Sequence, residues 1–176
     1  MCSVALTALQ LEEAIALVDR HPEQVFVVDH LAKPRIRELV TEPWARLMRE
    51  LARRPNVHCK VSGMVTEADP STWTDAQLRP YFDTVLDAFG AERLMFGSDW
   101  PVCLLGAGFG RWRGVVTDWC GALSAGERSE VAGGDGAAGL RSARVGRQPP
   151  VASWRRGPGR LPQVAGMNAV DYANIA

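Results

Sequence analysis

Four short apolar runs alternate with helical patterns over the first 132 residues of the chain. The runs predict strands at residues 3–7, 24–29, 57–61 and 94–96. Each run is followed by apolar residues that recur every three or four positions, as Trp44, Met48 and Leu51 do after the second run. Strands that alternate with helices form parallel sheets with the helices outside. The sequence therefore predicts an α/β fold, arranged either as an open doubly wound sheet or as part of a (β/α)8 barrel.

The last quarter of the chain differs in composition from the rest. With 176 residues, 47% of them hydrophobic, the chain has the size and apolar content of one soluble globular domain. Its formal net charge is zero, but residues 133–176 contain six Arg and two Asp, together with eight Gly and four Pro. This Gly and Pro content is typical of low complexity or disorder. We predict a folded domain over residues 1–132 and an irregular, basic C-terminal tail over residues 133–176.

Cysteine spacing and hydropathy indicate the compartment. Cys2, Cys59, Cys103 and Cys120 form no CxxC pair or other metal-binding spacing, which favours free, buried thiols. No apolar run reaches about 18 residues, and no basic stretch with an apolar core follows Met1, so neither a membrane span nor a signal peptide is predicted. We therefore expect a cytoplasmic protein with no membrane partner.

Reactive side chains follow three of the four predicted strands. These strand ends carry Asp29 and His30, then Lys60 and Ser62, then Asp99. In a barrel, the groups needed for chemistry collect at the carboxyl ends of the strands. No G-x-G-x-x-G follows any strand, and the glycine-rich residues 106–110 lack a following Lys-Ser/Thr, so the fingerprints of nucleotide binding are missing and the segment is predicted to be a mobile loop. The pattern indicates a site at the carboxyl edge of the sheet.

The third predicted strand has an apolar and a polar face. With a period of two, one face carries Val57, Cys59 and Val61. The other face carries His58, Lys60 and Ser62. The apolar set suits contact with the outer helices, and the polar set suits a site. Of the polar residues, Lys60 is the candidate for chemistry, whereas His58 fits an ordinary polar residue at the strand start.

Three ordered motifs carry a family resemblance. They are Phe-Val-Val-Asp-His-Leu-Ala-Lys-Pro at residues 26–34, Asn-Val-His-Cys-Lys-Val-Ser-Gly at 56–63, and Leu-Met-Phe-Gly-Ser-Asp-Trp-Pro at 94–101. They resemble the successive motifs of the amidohydrolase-related TIM-barrel hydrolases, in particular sugar-lactone hydrolases such as L-fuconolactonase and rhamnonolactonase, with 2-pyrone-dicarboxylate lactonase as a cousin. The resemblance covers roughly residues 3–132. It implies that the four strands are strands five to eight of an eight-stranded barrel.

The resemblance also implies roles for three residues. Asp99 matches the aspartate that activates the attacking water, His30 matches a histidine that contacts the substrate or site, and Lys60 matches the lysine of the strand-seven motif. A base together with a cationic or hydrogen-bonding group is what lactone hydrolysis requires. For the family the resemblance also implies a divalent metal, Zn²⁺, with His30 and Asp99 as ligands. The family's first-strand His-x-His motif is absent from this sequence, so we expect the metal site to be incomplete.

Three functions stay open at this point. The first is hydrolysis of a small-molecule substrate, a lactone or related carbonyl compound, by water that Asp99 activates. The second is an inactive fragment, truncated or with its reading frame lost near residue 131, which the other two frames of the gene would reveal. The third is a binding module that uses the basic tail, although six arginines with two aromatic residues disfavour nucleic acid as the partner. The open edges of half a barrel also predict self-association.

Overall fold

A computed structural model describes residues 2–132 of the chain as alternating strands and helices. The strands are β1 (Cys2–Val4), β2 (Phe26–Val28), β3 (Val57–Val61) and β4 (Leu94–Phe96). The helices are α1 (Leu11–Arg20), α2 (Trp44–Ala52), α3 (Met64–Glu67), α4 (Asp75–Phe89), α5 (Phe109–Trp119) and α6 (Ala125–Val131). Residues 133–176, for which the sequence predicts an irregular tail, lie outside the described residues.

The four strands form one parallel sheet in the order β1-β2-β3-β4. In its register, Val28 pairs with Val4 on one side and with Cys59 on the other, and Val61 pairs with Phe96. At least one helix lies between each pair of consecutive strands. The sheet therefore advances in one direction, whereas a doubly wound sheet reverses at a switch point. This is the order expected for part of a (β/α)8 barrel.

The hydrophobic core lies on one face of the sheet, as the alternation in β3 shows. Val57, Cys59 and Val61 have no exposed surface, while His58 and Lys60 on the opposite face are partly exposed. The predicted division of this strand into an apolar and a polar face is therefore confirmed. One face packs away from water, and the other carries polar side chains toward the carboxyl edge.

Aromatic side chains connect the helices that cover the core. The ring centroids of Trp44 in α2 and Tyr81 in α4 are 5.4 Å apart, and those of Phe82 in α4 and Trp119 in α5 are 5.1 Å apart. The Trp44 indole N–H donates a hydrogen bond of 2.7 Å to the carbonyl of Leu31, so this buried polar group is satisfied. The helical layer is thereby joined to the turn that follows β2.

Two strands are shorter than the sequence predicts. β1 ends at Val4 instead of residue 7, because the backbone N–H and the hydroxyl of Thr7 both donate to the side chain of Gln10, at 3.0 and 3.2 Å, and begin a 3₁₀ turn. β2 begins at Phe26 instead of residue 24 and ends at Val28 instead of residue 29. A left-handed turn that starts at His30 follows its carboxyl end. β3 and β4 have the predicted bounds.

Two helix ends carry residues that are typical of helix caps. Gly90 ends α4 with φ at 70°, and Ser124 begins α6 with a capping box. The prediction of a loop over residues 106–110 is wrong for Phe109 and Gly110, which form the first turn of α5. The carbonyl of Gly106 accepts a 2.7 Å hydrogen bond from the Trp73 indole, which anchors the start of this segment.

The cysteines differ in exposure. Cys59, Cys103 and Cys120 are buried free thiols, as predicted, whereas Cys2 is exposed on the edge strand β1. Burial was predicted for all four from spacing and apolar context, and it fails for Cys2 because β1 has a neighbour on one side alone among the described strands. Within residues 2–132, no helix has both the length and the apolar character to cross a membrane.

Candidate active site

Four ionisable side chains meet where β2, β3 and β4 end. The Nζ atom of Lys60 lies 3.0 Å from Oδ1 of Asp29. The Nε2 atom of His30 lies 3.6 Å from Oδ2 of Asp29 and 3.7 Å from Oδ1 of Asp99. We refer to these four residues, together with Ser62, as the carboxyl-edge cluster. The fold thus brings together all three site residues predicted from the sequence, Asp99, His30 and Lys60.

Ser62 orients the imidazole ring of His30. Its Oγ lies 2.8 Å from Nδ1 of His30, and the serine is fully buried. With Nδ1 engaged by the hydroxyl, Nε2 faces the carboxylates of Asp29 and Asp99. A neutral ring with its proton on Nε2 accepts the hydroxyl proton of Ser62 at Nδ1 and presents an N–H to the carboxylates. The ring is therefore held so that its free nitrogen faces the centre of the cluster.

The backbone at two cluster residues adopts the left-handed region. The φ angle is 50° at His30 and stays positive through Lys33, and it is 54° at Asp99. For residues with a side chain, this conformation costs roughly 1–2 kcal/mol each. Strained residues of this kind persist where the surrounding structure holds them, and they concentrate at functional sites. The ends of β2 and β4 are thus marked as a candidate site by their backbone as well as by their side chains.

Two glycines leave room for the cluster. A Cβ atom on Gly63, where φ is 68°, would lie 2.9 Å from the imidazole of His30. A Cβ atom on Gly97 would lie 2.5 Å from Cε of Lys60. Both distances are shorter than real Cβ contacts, so a side chain at either position would displace its neighbour. No role in leaving room for the cluster is predicted for either glycine from the sequence. The available signal was position, since Gly97 directly follows β4 and Gly63 directly follows Ser62.

Asp29 and Ser62 lie at predicted strand ends, but no role is predicted for either from the sequence. The available signals were the position of Asp29 directly before His30, and the polar face that Ser62 shares with Lys60. Which carboxylate meets Lys60 depends on the register between β2 and β3, and a single strand does not reveal it. His58 lies nearer the amino end of β3, and its Nδ1 has no hydrogen-bond partner among residues 2–132.

Two buried thiols near the cluster are held protonated. Burial raises the pKa of Cys59 far above its ordinary value, and the carboxylate of Asp29 adds to the effect. Burial also raises the pKa of Cys103, with Asp99 as a second cause. Since the thiolate is the reactive form, both groups are poor nucleophiles at neutral pH. Chemistry at this edge therefore falls to the carboxylates, the imidazole and the ammonium group.

The described residues do not form a complete metal site. Within the range 2–132, no group of three or more His, Cys, Asp or Glu side chains converges to hold a metal ion. The two predicted ligands, His30 and Asp99, are fewer than the three protein ligands of typical catalytic zinc sites. The ammonium group of Lys60 also places a positive charge 3.0 Å from Asp29 Oδ1, where a metal ion would compete with it. The predicted pair does not by itself fit a zinc ion.

Segments that follow the strands carry a cavity and exposed apolar side chains. A cavity of about 570 Å³, in the size range of small-molecule sites, has Lys33, Trp44 and Glu67 in its wall, but no residue of the carboxyl-edge cluster lines it. Directly after Asp99, the side chain of Trp100 is 66% exposed, and Leu105 is exposed farther along the same segment. The apolar surface therefore lies next to Asp99 in the chain, whereas the cavity is separate from the cluster.

Comparisons with known proteins point to one family. A family model described as Amidohydrolase matches residues 2–134. An L-fucono-1,5-lactonase of Burkholderia multivorans is 43% identical over 138 residues, which make up 73% of this chain and 47% of that protein. An L-fucono-1,5-lactonase of Burkholderia ambifaria is 44% identical over 115 residues, covering 65% of this chain and 39% of that protein.

A solved structure shows the same fold over the matched region. It is an amidohydrolase from Burkholderia multivorans with bound zinc, which is 42% identical and superposes with a TM-score of 0.73. The match covers 77% of this chain and 50% of the solved chain. The chain spans about half the length, or less, of the relatives that it matches.

Proposed function

This chain belongs to the amidohydrolase family, as its strand-end motifs predicted, and from that premise we propose that its carboxyl-edge cluster opens a lactone with water activated by Asp99. The observation that carries the proposal is the 3.7 Å approach of His30 Nε2 to Asp99 Oδ1, beside the ammonium group of Lys60. A carboxylate base and two hydrogen-bond donors are thus grouped at one point. The substrate we propose is a sugar lactone or a related small cyclic ester, which the names of the two lactonase relatives support.

Asp99 acts as the general base. Its carboxylate takes a proton from a water molecule while the water oxygen forms a bond to the carbonyl carbon of the lactone. The electron pair of the carbonyl double bond moves to the carbonyl oxygen, which becomes an oxyanion. A base held in place beside the reacting water contributes typically about 10²- to 10⁴-fold to such a reaction.

His30 and Lys60 stabilise the oxyanion. The imidazole N–H at Nε2 and the ammonium group are donors that the fold holds in position before the charge develops, and such preorganised donors lower the barrier. When the carbonyl double bond forms again, the bond between the carbonyl carbon and the ring oxygen breaks. The ring oxygen takes the proton held by Asp99. The product is a hydroxy acid, one water molecule is consumed, and the Asp99 carboxylate is regenerated.

An assay of the purified chain against a series of aldonolactones, with and without added Zn²⁺, tests the proposal. We expect hydrolysis by the wild-type chain and a loss of about 100-fold or more in Asp99→Asn. Asp118→Asn, which changes an exposed carboxylate on α5, is the matched control and should hydrolyse at the wild-type rate. Equal rates for Asp99→Asn and wild type would overturn the proposal. Absence of turnover under every condition would also overturn it, in favour of an inactive fragment.

A further inference from the structure

Asp29 is the charged residue of the carboxyl-edge cluster that the proposed reaction leaves without a role. Its Oδ1 lies 3.0 Å from Lys60 Nζ, its Oδ2 lies 3.6 Å from His30 Nε2, and its side chain is only 18% exposed. We propose that Asp29 is a positioning residue, which holds the Lys60 ammonium group in an ion pair so that this group does not neutralise Asp99, the proposed base. This inference rests on the proposed function, because it assigns the condition under which Asp99 can accept a proton.

The two carboxylates of the cluster share the imidazole of His30, whereas Lys60 pairs with Asp29. Asp29 and Asp99 approach one atom, Nε2 of His30, at 3.6 and 3.7 Å. A lysine side chain is flexible and carries three donors, so an ammonium group at this edge can turn to either carboxylate. A cation paired with Asp99 would favour its ionised form and so weaken it as a proton acceptor. The pairing with Asp29 keeps Lys60 near the reacting carbonyl without this loss.

Because the carboxylate of Asp29 is largely buried, it needs the ion pair with Lys60. Oδ1 of Asp29 is enclosed, and within the described part of the chain no donor reaches it with hydrogen-bond geometry. The Lys60 ammonium group at 3.0 Å therefore supplies the compensating charge as an ion pair. An uncompensated buried carboxylate would cost much more than an exposed one. This pair is thus unlike the exposed surface pairs of the molecule, which contribute little.

Gly97 leaves room for the stem of Lys60. A Cβ atom on Gly97 would lie 2.5 Å from Cε and 3.2 Å from Cγ of Lys60, so the lysine stem runs directly over this glycine. The stem is constrained by the backbone of the neighbouring strand end, and the ammonium group is constrained by the carboxylate of Asp29. These two contacts fix the direction of Lys60 independently of any substrate.

The substitution Asp29→Asn tests the contact without reference to turnover. It keeps the size of the side chain and removes its charge. In the wild-type chain, the ion-paired Lys60 ammonium group should give a ¹H–¹⁵N NMR signal because its protons exchange slowly, and Lys60→Met identifies that signal. We expect the signal to shift or disappear in Asp29→Asn. Glu67→Gln, which removes the carboxylate 3.4 Å from Lys33, is the matched control and should leave the Lys60 signal in place.

The same variant tests the consequence for the reaction. We expect Asp29→Asn to lower kcat about 10- to 100-fold and to change KM less than about threefold, since it weakens the base and moves a donor that acts on the oxyanion and not on the bound lactone. An unchanged Lys60 signal, or an unchanged kcat beside an active wild type, would overturn the inference. If the wild-type chain opens no lactone, the proposed function fails, while the Lys60 signal still decides whether Asp29 holds the ammonium group.

A second variant keeps the test decisive if Asp29→Asn does not fold. The double substitution Asp29→Asn/Lys60→Met removes both charges, so no unpaired ammonium group is left in the cluster. Replacing both partners of a buried pair is much less costly than removing one. We expect the double variant to melt at a higher temperature than Asp29→Asn. A double variant that melts no higher than the single one would show that the pair does not exist in solution.

Discussion

At the carboxyl edge of the sheet, the imidazole of His30 faces two carboxylates beyond hydrogen-bond distance, whereas at the amino edge a single guanidinium group is bonded on several sides. The carboxyl edge holds His30 between two carboxylates at 3.6 and 3.7 Å. At the amino edge, Arg93, directly before β4, donates to the carbonyls of Phe89 at 2.9 Å and Ala52 at 2.8 Å. One edge keeps groups available for a reaction, and the other uses its donors to hold helices and strands together.

The contacts at the amino edge stabilise the fold in a way that the carboxyl edge does not. Arg93 also donates to the carbonyl of Arg54 at 3.2 Å, and its guanidinium lies 5.3 Å from the centre of the Phe89 ring. It thereby satisfies carbonyls at the ends of α2 and α4, which would otherwise have no partner. The carboxyl edge instead contains residues with strained backbone. In barrel enzymes the carboxyl ends of the strands carry chemistry and the amino ends carry stability. The contacts of Arg93 fit the second part of that division, and the site we propose fits the first.

The largest effect that separates the two edges should come from Asp99→Asn. We expect lactone hydrolysis to fall by about 100-fold or more, while the free energy of unfolding changes by no more than about 0.5 kcal/mol, because Asn tolerates the left-handed backbone at this position. Hydrolysis rates and urea unfolding of the same preparation measure both quantities. A large loss of stability would show that Asp99 supports the fold and would remove the contrast between the edges.

At the amino edge, Arg93→Met should lower stability without touching the cluster. Its removal takes the guanidinium donor away from the carbonyls of Phe89 and Ala52, so we expect a loss of about 2–4 kcal/mol in the free energy of unfolding. Arg79→Met is the matched control, because Arg79 forms a surface pair with Asp83 and should cost at most about 0.5 kcal/mol. Urea unfolding of both variants checks the difference. Equal losses would contradict the central position we give to Arg93.

A smaller effect is expected when a side chain is added at the carboxyl edge. Gly63→Ala meets both a φ of 68° and the His30 ring at 2.9 Å, so we expect it to cost about 1–3 kcal/mol and to slow hydrolysis. In α5, a Cβ atom added at Gly114 would have no other atom within 4 Å. Gly114→Ala should therefore stabilise the helix by about 0.5–1 kcal/mol. Thermal melts of the two variants should therefore shift in opposite directions. Shifts in the same direction would refute the steric argument.

The smallest effect concerns His58, which lies nearer the amino edge. Burial, and secondarily the charge of Arg93, lowers the pKa of His58 below 6.5. Because the unfolded chain then binds the proton more readily, the contribution of His58 to stability is present above about pH 6.5 and is lost as the pH falls through the lower, folded-state value. His58→Gln should reduce the difference in Tm between pH 7 and pH 5. His21→Gln, at an exposed position, should leave that difference as it is in the wild type.

The sequence predicts the strands of this fold where local signals are complete. β3 and β4 have the predicted bounds because their apolar runs stop sharply, β3 at Ser62-Gly63 and β4 at Gly97-Ser98. β1 is shorter than predicted because Thr7 bonds to the side chain of Gln10. That bond competes with strand pairing and has no mark in the apolar pattern. Local patterns therefore locate the strands, while side-chain bonds to the backbone decide where some of them end.

The candidate site is predictable in its members but not in its pairings. Asp99, His30 and Lys60 follow from strand ends and family motifs, and the fold groups them. The contact between Lys60 and Asp29 depends on the register of two strands, and the contact between His30 and Ser62 joins residues 32 positions apart. Contacts of this kind arise from three-dimensional packing. The candidate groups can therefore be predicted from the sequence. Whether the ammonium group of Lys60 pairs with Asp29 or with Asp99 cannot.

The left-handed turn after β2 also has a consequence for the order of folding. Residues 30–33 all have positive φ although none is glycine, so the turn opposes the local preference of its own residues. Its partners are distant in the sequence, since Ser62 bonds to His30 and Trp44 bonds to the Leu31 carbonyl. These contacts can form only once β2 and β3 have met and α2 has docked. The turn should therefore form late in folding and be among the first segments to unfold locally. A ligand bound at this turn would stabilise the segment that unfolds first.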